Sequence, residues 1–310
     1  MLGPGNVGQR VVVRRIVGLR DNRPIFSDVL GELAEWGETE ITVRTRAGAV
    51  RVPRKSITAA KTVPSKRRLS GTEAVELAAA YGWPAAESDR LGDWWLRATG
   101  GWTMRGNSAL PIGDPDRPRD AAIDAVAAWY RARDLPPAIS VPLPLLAGLD
   151  AELDRRGWSA RPITQVMTAP LDAIVTGGTG EVRLDTAPAP EWLAMVNGRK
   201  GGAVIEVLTG VPEARFPLVP GPAGPLAVAR GVVADPQRRW LGVSLIETAP
   251  EARRQGFAQL VVGALVDWAG SLGATDAYLQ VEQRNTTAIA LYQRIGFTVH
   301  HTYCSRVLTS

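Results

Sequence analysis

The stretch WLGVSLIETAPEARRQGFAQL, residues 240–260, decides how the rest of the chain is read. It opens as an apolar run of strand length, breaks at Ala249-Pro250, and resumes as an apolar helix from Gly256. Arg253, Arg254 and Gln255 lie between the two. The first N–H groups of a helix have no partner within it, and the aligned peptide dipoles leave that end positive. Gly256 lets the backbone come close to a ligand, and Ala258 keeps the first turn clear of side chains. Such a turn is a cradle for a pyrophosphate. Taken alone, a helix start with two surface arginines is the commoner case.

A second stretch, VEQRNTTAIALYQRIGF at 281–297, gives the turn its context. Together the two resemble the GNAT superfamily of acetyl-CoA-dependent N-acetyltransferases. That family's acyl-CoA signature is Gln or Arg, two residues, Gly, one residue, then Gly or Ala. Here it reads Arg253, Gly256, Ala258. Its second signature runs here through Asn285, Ala288, Leu291, Tyr292, Gly296 and Phe297. The resemblance covers about residues 181–307. It implies acetyl-CoA as cosubstrate, with no metal.

It also implies roles. Backbone N–H groups of Arg254, Gln255, Gly256, Phe257 and Ala258, with Arg253 beside them, would hold the pyrophosphate. The strand end Ile246–Thr248 would pair with the pantetheine arm. The Thr248 N–H would polarise the acetyl carbonyl. Asn285 would bind pantetheine or steady its loop. Tyr292 would protonate the departing thiolate. An amine acceptor also needs a base, and Glu247 is the carboxylate at hand, though alternation points it to the face opposite Ile246 and Thr248. His300 and His301 on the closing strand are weaker candidates. The stretch MVNGRKGGAVIE at 195–206 corresponds to the family's substrate-side lid, where Arg199 and Lys200 would hold a substrate carboxylate.

Outward from this region, 310 residues suggest two or three domains. Residues 1–62 alternate as short strands with turn signals between them, a pattern that resembles a small Src homology 3-like β-barrel. Residues 63–72, with Lys66, Arg67 and Arg68, read as a basic linker, or as a nucleic-acid contact. Helix and strand periods alternate from 73 to 172 and again from 181 to 310. The first run reads as a degenerate copy of the second. Leu153 falls where Tyr292 stands, and GDPDRPRDA at 113–121 falls opposite the arginine turn, carrying Asp114, Asp116 and Asp120. Carboxylates there repel a pyrophosphate. Arg97, Arg105 and Asn107 are its candidate substrate contacts. A helix is expected from Thr72, capped by that residue with Glu76 behind it, and a strand over 101–112.

The fold class expected is α+β: a β-barrel, then tandem GNAT domains with the first degenerate. The whole resembles an actinobacterial GNAT group linked to N-acetylglutamate synthesis. An amino acid such as glutamate is then the expected small-molecule acceptor. Protein or peptide N-acetylation, a mycothiol-synthase-like activity, and a nucleic-acid- or protein-binding module using the barrel are the alternatives. One cysteine, no apolar run of about 18 residues and no signal-peptide core point to a cytoplasmic protein without membrane contact.

Overall fold

In a computed structural model of the chain, the described residues are 2–20, 23–45, 48–63, 69–196, 202–235 and 239–309. The Lys66, Arg67, Arg68 run and the Arg199, Lys200 pair lie outside them. The chain divides into two compact units, before and after residue 69.

In the first unit, alternation produces an antiparallel sheet. Strands β1 (Arg10–Arg20), β2 (Arg23–Trp36), β3 (Glu40–Thr45), β4 (Gly48–Pro53) and β5 (Ile57–Thr62) pair in the order β4-β3-β2-β1-β5. Val11, Val13, Val29, Leu33, Ile41, Val43 and Val52 form its core, one face of each strand contributing. Among the described residues β4 and β5 are the two ends of that order, so the pairings show an antiparallel sheet and no β4–β5 closure.

The second unit opens with α1 (Gly71–Gly82). Its cap is Ser70, not Thr72. The Ser70 Oγ accepts from the Glu73 N–H at 3.3 Å, and the Glu73 carboxylate accepts from the Ser70 N–H at 2.8 Å. Glu76 lies too far along the helix for that exchange and turns inward. A hairpin of β6 (Glu87–Leu91) and β7 (Trp94–Ala98) precedes α2 (Arg119–Arg131). Residues 101–112, expected as a strand, are a loop with isolated bridges at Ala109 and Leu110.

There follow β8 (Ala138–Leu143), α3 (Ala147–Arg155), β9 (Ser159–Ala160), β10 (Thr164–Pro170), β11 (Arg183–Asp185), α4 (Pro190–Met195), α5 (Gly202–Thr209), β12 (Ala214–Val219), β13 (Ala227–Val233) and β14 (Trp240–Thr248). The chain closes with α6 (Phe257–Ser271), β15 (Asp276–Glu282), α7 (Thr286–Arg294) and β16 (Thr298–Val307). One mixed sheet runs β11-β12-β13-β14-β15-β10-β16-β8, with β9 also on β16. Strand β10 lies between β15 and β16, antiparallel to both. Strands from either side of the connector near residues 172–181 therefore share one sheet.

The core under the site is made by α6 against β13 and β14. Val261, Val262, Leu265, Val266 and Ala269 recur at helical spacing and bury against Ala229, Leu241 and Val243. A Cβ at Gly231 would lie 2.4 Å from Leu265, so glycine there lets the helix sit close to the sheet.

Candidate active site

Strands β14 and β15 run parallel, and their register holds from Trp240↔Asp276 to Val243↔Leu279. There it stops, although β14 continues to Thr248 and β15 to Glu282. The cause is local. Leu245 takes φ 54°. Opposite it, β13 spends two residues from Val228 to Arg230, where β14 spends three from Glu247 to Ser244. Such a bulge turns a strand away from its neighbour. The Ala249 N–H bonds Leu226 O on the β13 side at 2.9 Å, so alternation turns the Thr248 N–H toward the gap. Unpaired amides at a strand edge are matched by an extended ligand that adds a strand.

Two clefts meet at this gap, one of about 830 Å³ and one of about 900 Å³. Ile246, Glu247, Asn285 and Tyr292 line both.

The arginine turn walls the first cleft. Gly256 caps α6 at φ 87°, and Arg254 takes φ 64°. Among the described residues, the N–H groups of Arg254 through Gln259 meet no backbone carbonyl, and the helix ladder begins with Leu260 N to Gly256 O at 3.0 Å. No acid stands in the first turn of α6. Arg253, Arg254, Gly256, Phe257, Ala258 and Thr248 all line this cleft. Gln255 does not, and its Nε2 donates to Glu251 O at 2.8 Å. The cleft thus presents a run of open amides and two arginines, the chemistry that holds a phosphate chain.

At the junction, Tyr292 is 9% exposed and packs edge-on to Phe297. Burial first, and then the charge of Glu247, push its phenol up to about 12. It therefore keeps its proton through the neutral range. Glu247 reaches Tyr292 electrostatically while Ile246 packs against the core. Past the bulge, both residues border both clefts. The Asn285 Oδ1 caps α7 by accepting from the Ala288 N–H at 3.2 Å, which fixes the loop that carries Asn285 into both clefts.

The second cleft is lined by residues that sequence reasoning mostly passed over: Trp83, Arg161, Ser244, Gln280 and Tyr303, with Arg105. They come from separate elements, and no local pattern announces them. Asn107 lines neither cleft. It is buried, and its amide is spent on the loop that carries Arg105. Arg97 is also buried, with its Nε donating to Ser108 O at 3.1 Å. Behind Trp83, Arg230 is 0% exposed and donates to Gly82 O and Leu208 O at 2.9 and 3.0 Å. Burial pushes its guanidinium down to about 9.

His300 and His301 line neither cleft. Their Nδ1 atoms lie 2.9 Å apart, and His301 Nε2 lies 2.7 Å from Glu76 Oε1, tying β16 to α1. Among the described residues, no group of three His, Cys, Asp or Glu side chains is placed to hold a metal ion. No described helix is long and apolar enough to cross a membrane.

Comparison with known proteins shows the family and the fold. A family profile described as "Probable histone acetyltransferase Rv0428c C-terminal" matches residues 70–306. The chain is 31% identical over 305 residues to the "Probable histone acetyltransferase Rv0428c" of Mycobacterium tuberculosis, covering 96% of this chain and 94% of that one. Among solved structures, a GCN5-related N-acetyltransferase from Kribbella flavida shares the fold at a TM-score of 0.60 and 15% identity, covering 78% of this chain and 97% of its own. A tandem GNAT protein from the clavulanic acid biosynthesis pathway does so at 0.51 and 14%, covering 76% and 87%. The chain belongs to the family of the probable histone acetyltransferase Rv0428c and is an acyltransferase.

Proposed function

We propose that the chain moves the acetyl group of acetyl-CoA to a primary amine by direct attack, with a small amino acid such as glutamate as acceptor. The first cleft takes the cosubstrate, its pyrophosphate on the N–H groups of Arg254 to Ala258 and its arm along Ile246–Thr248. The second cleft takes the acceptor. Glu247 receives a proton from the ammonium, directly or through water, so that the amine attacks the thioester carbonyl. The Thr248 N–H faces the negative charge that develops on that oxygen. The C–N bond forms, the C–S bond breaks, Tyr292 gives its proton to the leaving sulfur, and the surplus proton on the acylated nitrogen passes through water to restore the Tyr292 phenol.

One observation carries this reading. A buried, proton-holding tyrosine and a carboxylate stand together where a cleft of open amides meets a second cleft. Residues 73–172 would then be a degenerate copy whose place for a catalytic tyrosine holds Leu153, a core residue. A second reading, acetylation of a protein or peptide lysine, is favoured by the name of the mycobacterial relative.

The test is Tyr292→Phe. Turnover should fall roughly 10²- to 10⁴-fold while the Kd for acetyl-CoA stays put. Unchanged turnover would remove Tyr292 from the chemistry.

A further inference from the structure

We infer that the second cleft selects an amine that also carries a carboxylate, and that Arg105 reads that carboxylate. This rests on the acetyltransferase reading and its amino-acid acceptor, and adds to it the residue that selects that acceptor.

Arg105 lies in the loop between β7 and α2, and that loop is built to be rigid. Asn107 Oδ1 accepts from the Thr99 N–H at 2.8 Å and the Gly101 N–H at 3.0 Å. Asn107 Nδ2 donates to Trp102 O and Thr103 O, both at 2.8 Å. With the amide used on both sides, Asn107 braces the loop across its width. The Arg105 guanidinium lies over the Trp83 ring at 4.7 Å, and Trp83 stacks on Trp102 with centroids 5.4 Å apart. The aromatic face orients the cation without neutralising it.

Its charge is also uncompensated. Among the described residues no carboxylate pairs with Arg105, and its buried Nε has no hydrogen-bond partner. Arg230, over the same Trp83 at 5.3 Å, has only carbonyl partners. Arg161 lines the cleft and forms no ion pair among the described residues, whereas Arg284 is already paired with Glu282. Buried polar atoms in native proteins usually have partners, and those left open in a cleft face a ligand or water. Two more such atoms, Ser244 Oγ and Gln280 Oε1, belong to residues lining this cleft.

The cleft therefore carries groups of both signs. Glu247 and Tyr292 are shared with the acetyl-CoA cleft. Arg105 and Gln280 are not, and the same two residues also bound two small neighbouring cavities. One cleft thus offers a carboxylate for an amine and a free guanidinium for the other end of its molecule. An amino acid fits this polarity. A lysine in a basic tail sets further cations against Arg105 and Arg161.

The experiment measures thiol release with glutamate, glutamine and glutaminamide, which carry two, one and no carboxylates on one skeleton, and with a lysine-rich histone-tail peptide. Acetyl-CoA binding is measured by calorimetry on the same proteins. The wild type should prefer the acids in that order over glutaminamide and the peptide. Arg105→Gln should raise KM for glutamate roughly tenfold to a hundredfold, leave the acetyl-CoA Kd unchanged and flatten the series. Arg105→Lys, which keeps the charge, should recover part of the preference. The inference is overturned if glutaminamide or the peptide matches glutamate, if the series survives Arg105→Gln, or if acetyl-CoA binds and none of the four is acetylated. If the wild type does not bind acetyl-CoA, the reading beneath it fails instead.

Discussion

Two turns lead into helices in the second unit, one at 113–121 into α2 and one at 249–258 into α6, and they differ in the charge set around the helix start. Among the described residues both leave first-turn amides without backbone partners, Arg119 to Ala121 in the one and Phe257 to Gln259 in the other, but the first is lined by carboxylates that bond the loop itself. The Asp114 N–H donates to the Asp93 carboxylate at 3.0 Å, and the Asp116 N–H donates to the Asp114 carboxylate at 2.9 Å. Asp120 stands in the first turn of α2 and is paired with Arg156 at 3.2 Å. The second turn has no carboxylate in its first helical turn, a glycine cap at positive φ, and a row of amides without backbone partners. A helix start is not in itself an anion site. It becomes one when arginines and a glycine, rather than carboxylates, stand around the open amides.

The largest effect should come from making the second turn resemble the first. Arg254→Glu with Gly256→Asp should weaken acetyl-CoA binding by more than about 100-fold through charge reversal and lost backbone approach. Far-UV circular dichroism should show the fold retained. Next, Leu153→Ala should lower stability by about 2–5 kcal/mol in denaturant melts, because Leu153 is fully buried in the core beside α2. Tyr292→Phe nearly keeps the side-chain volume and should cost under about 1.5 kcal/mol, so the two substitutions separate packing from chemistry. Smaller still, Asp114→Ala should cost about 1 kcal/mol and confer no second acetyl-CoA site, since only one of the differences between the turns is removed. Last, the pH profile of turnover should show no alkaline limb near pH 10. Burial and Glu247 raise the Tyr292 pKa to about 12, so the proton it donates is retained above the ordinary tyrosine value and is lost only as pH rises through about 12.

What could be read from the chain alone followed the range of the interactions involved. The arginine turn, helix α6 and the stretch from Asn285 to Phe297 depend on neighbours within a few residues, and all were legible. Strand β12, ARFPLV, carries a proline and is buried on both faces, so it shows neither alternation nor a clean apolar run. The place of β10 between β15 and β16 depends on partners more than a hundred residues away. The loop at 101–112 holds enough apolar residues to pass for a strand, and only the four bonds of Asn107 show why it is not one. The second cleft was least legible for the same reason. Trp83 follows α1, Ser244 lies on β14, Gln280 on β15 and Tyr303 on β16, and only the sheet brings them together.

The contrast between the turns is tested most directly by counting. Calorimetric titration of acetyl-CoA into the wild-type chain should give one site per chain, and the Arg254→Glu, Gly256→Asp protein should give none. Two sites per chain, or one site that survives the double substitution, would contradict the assignment of acetyl-CoA to the turn at 253–258.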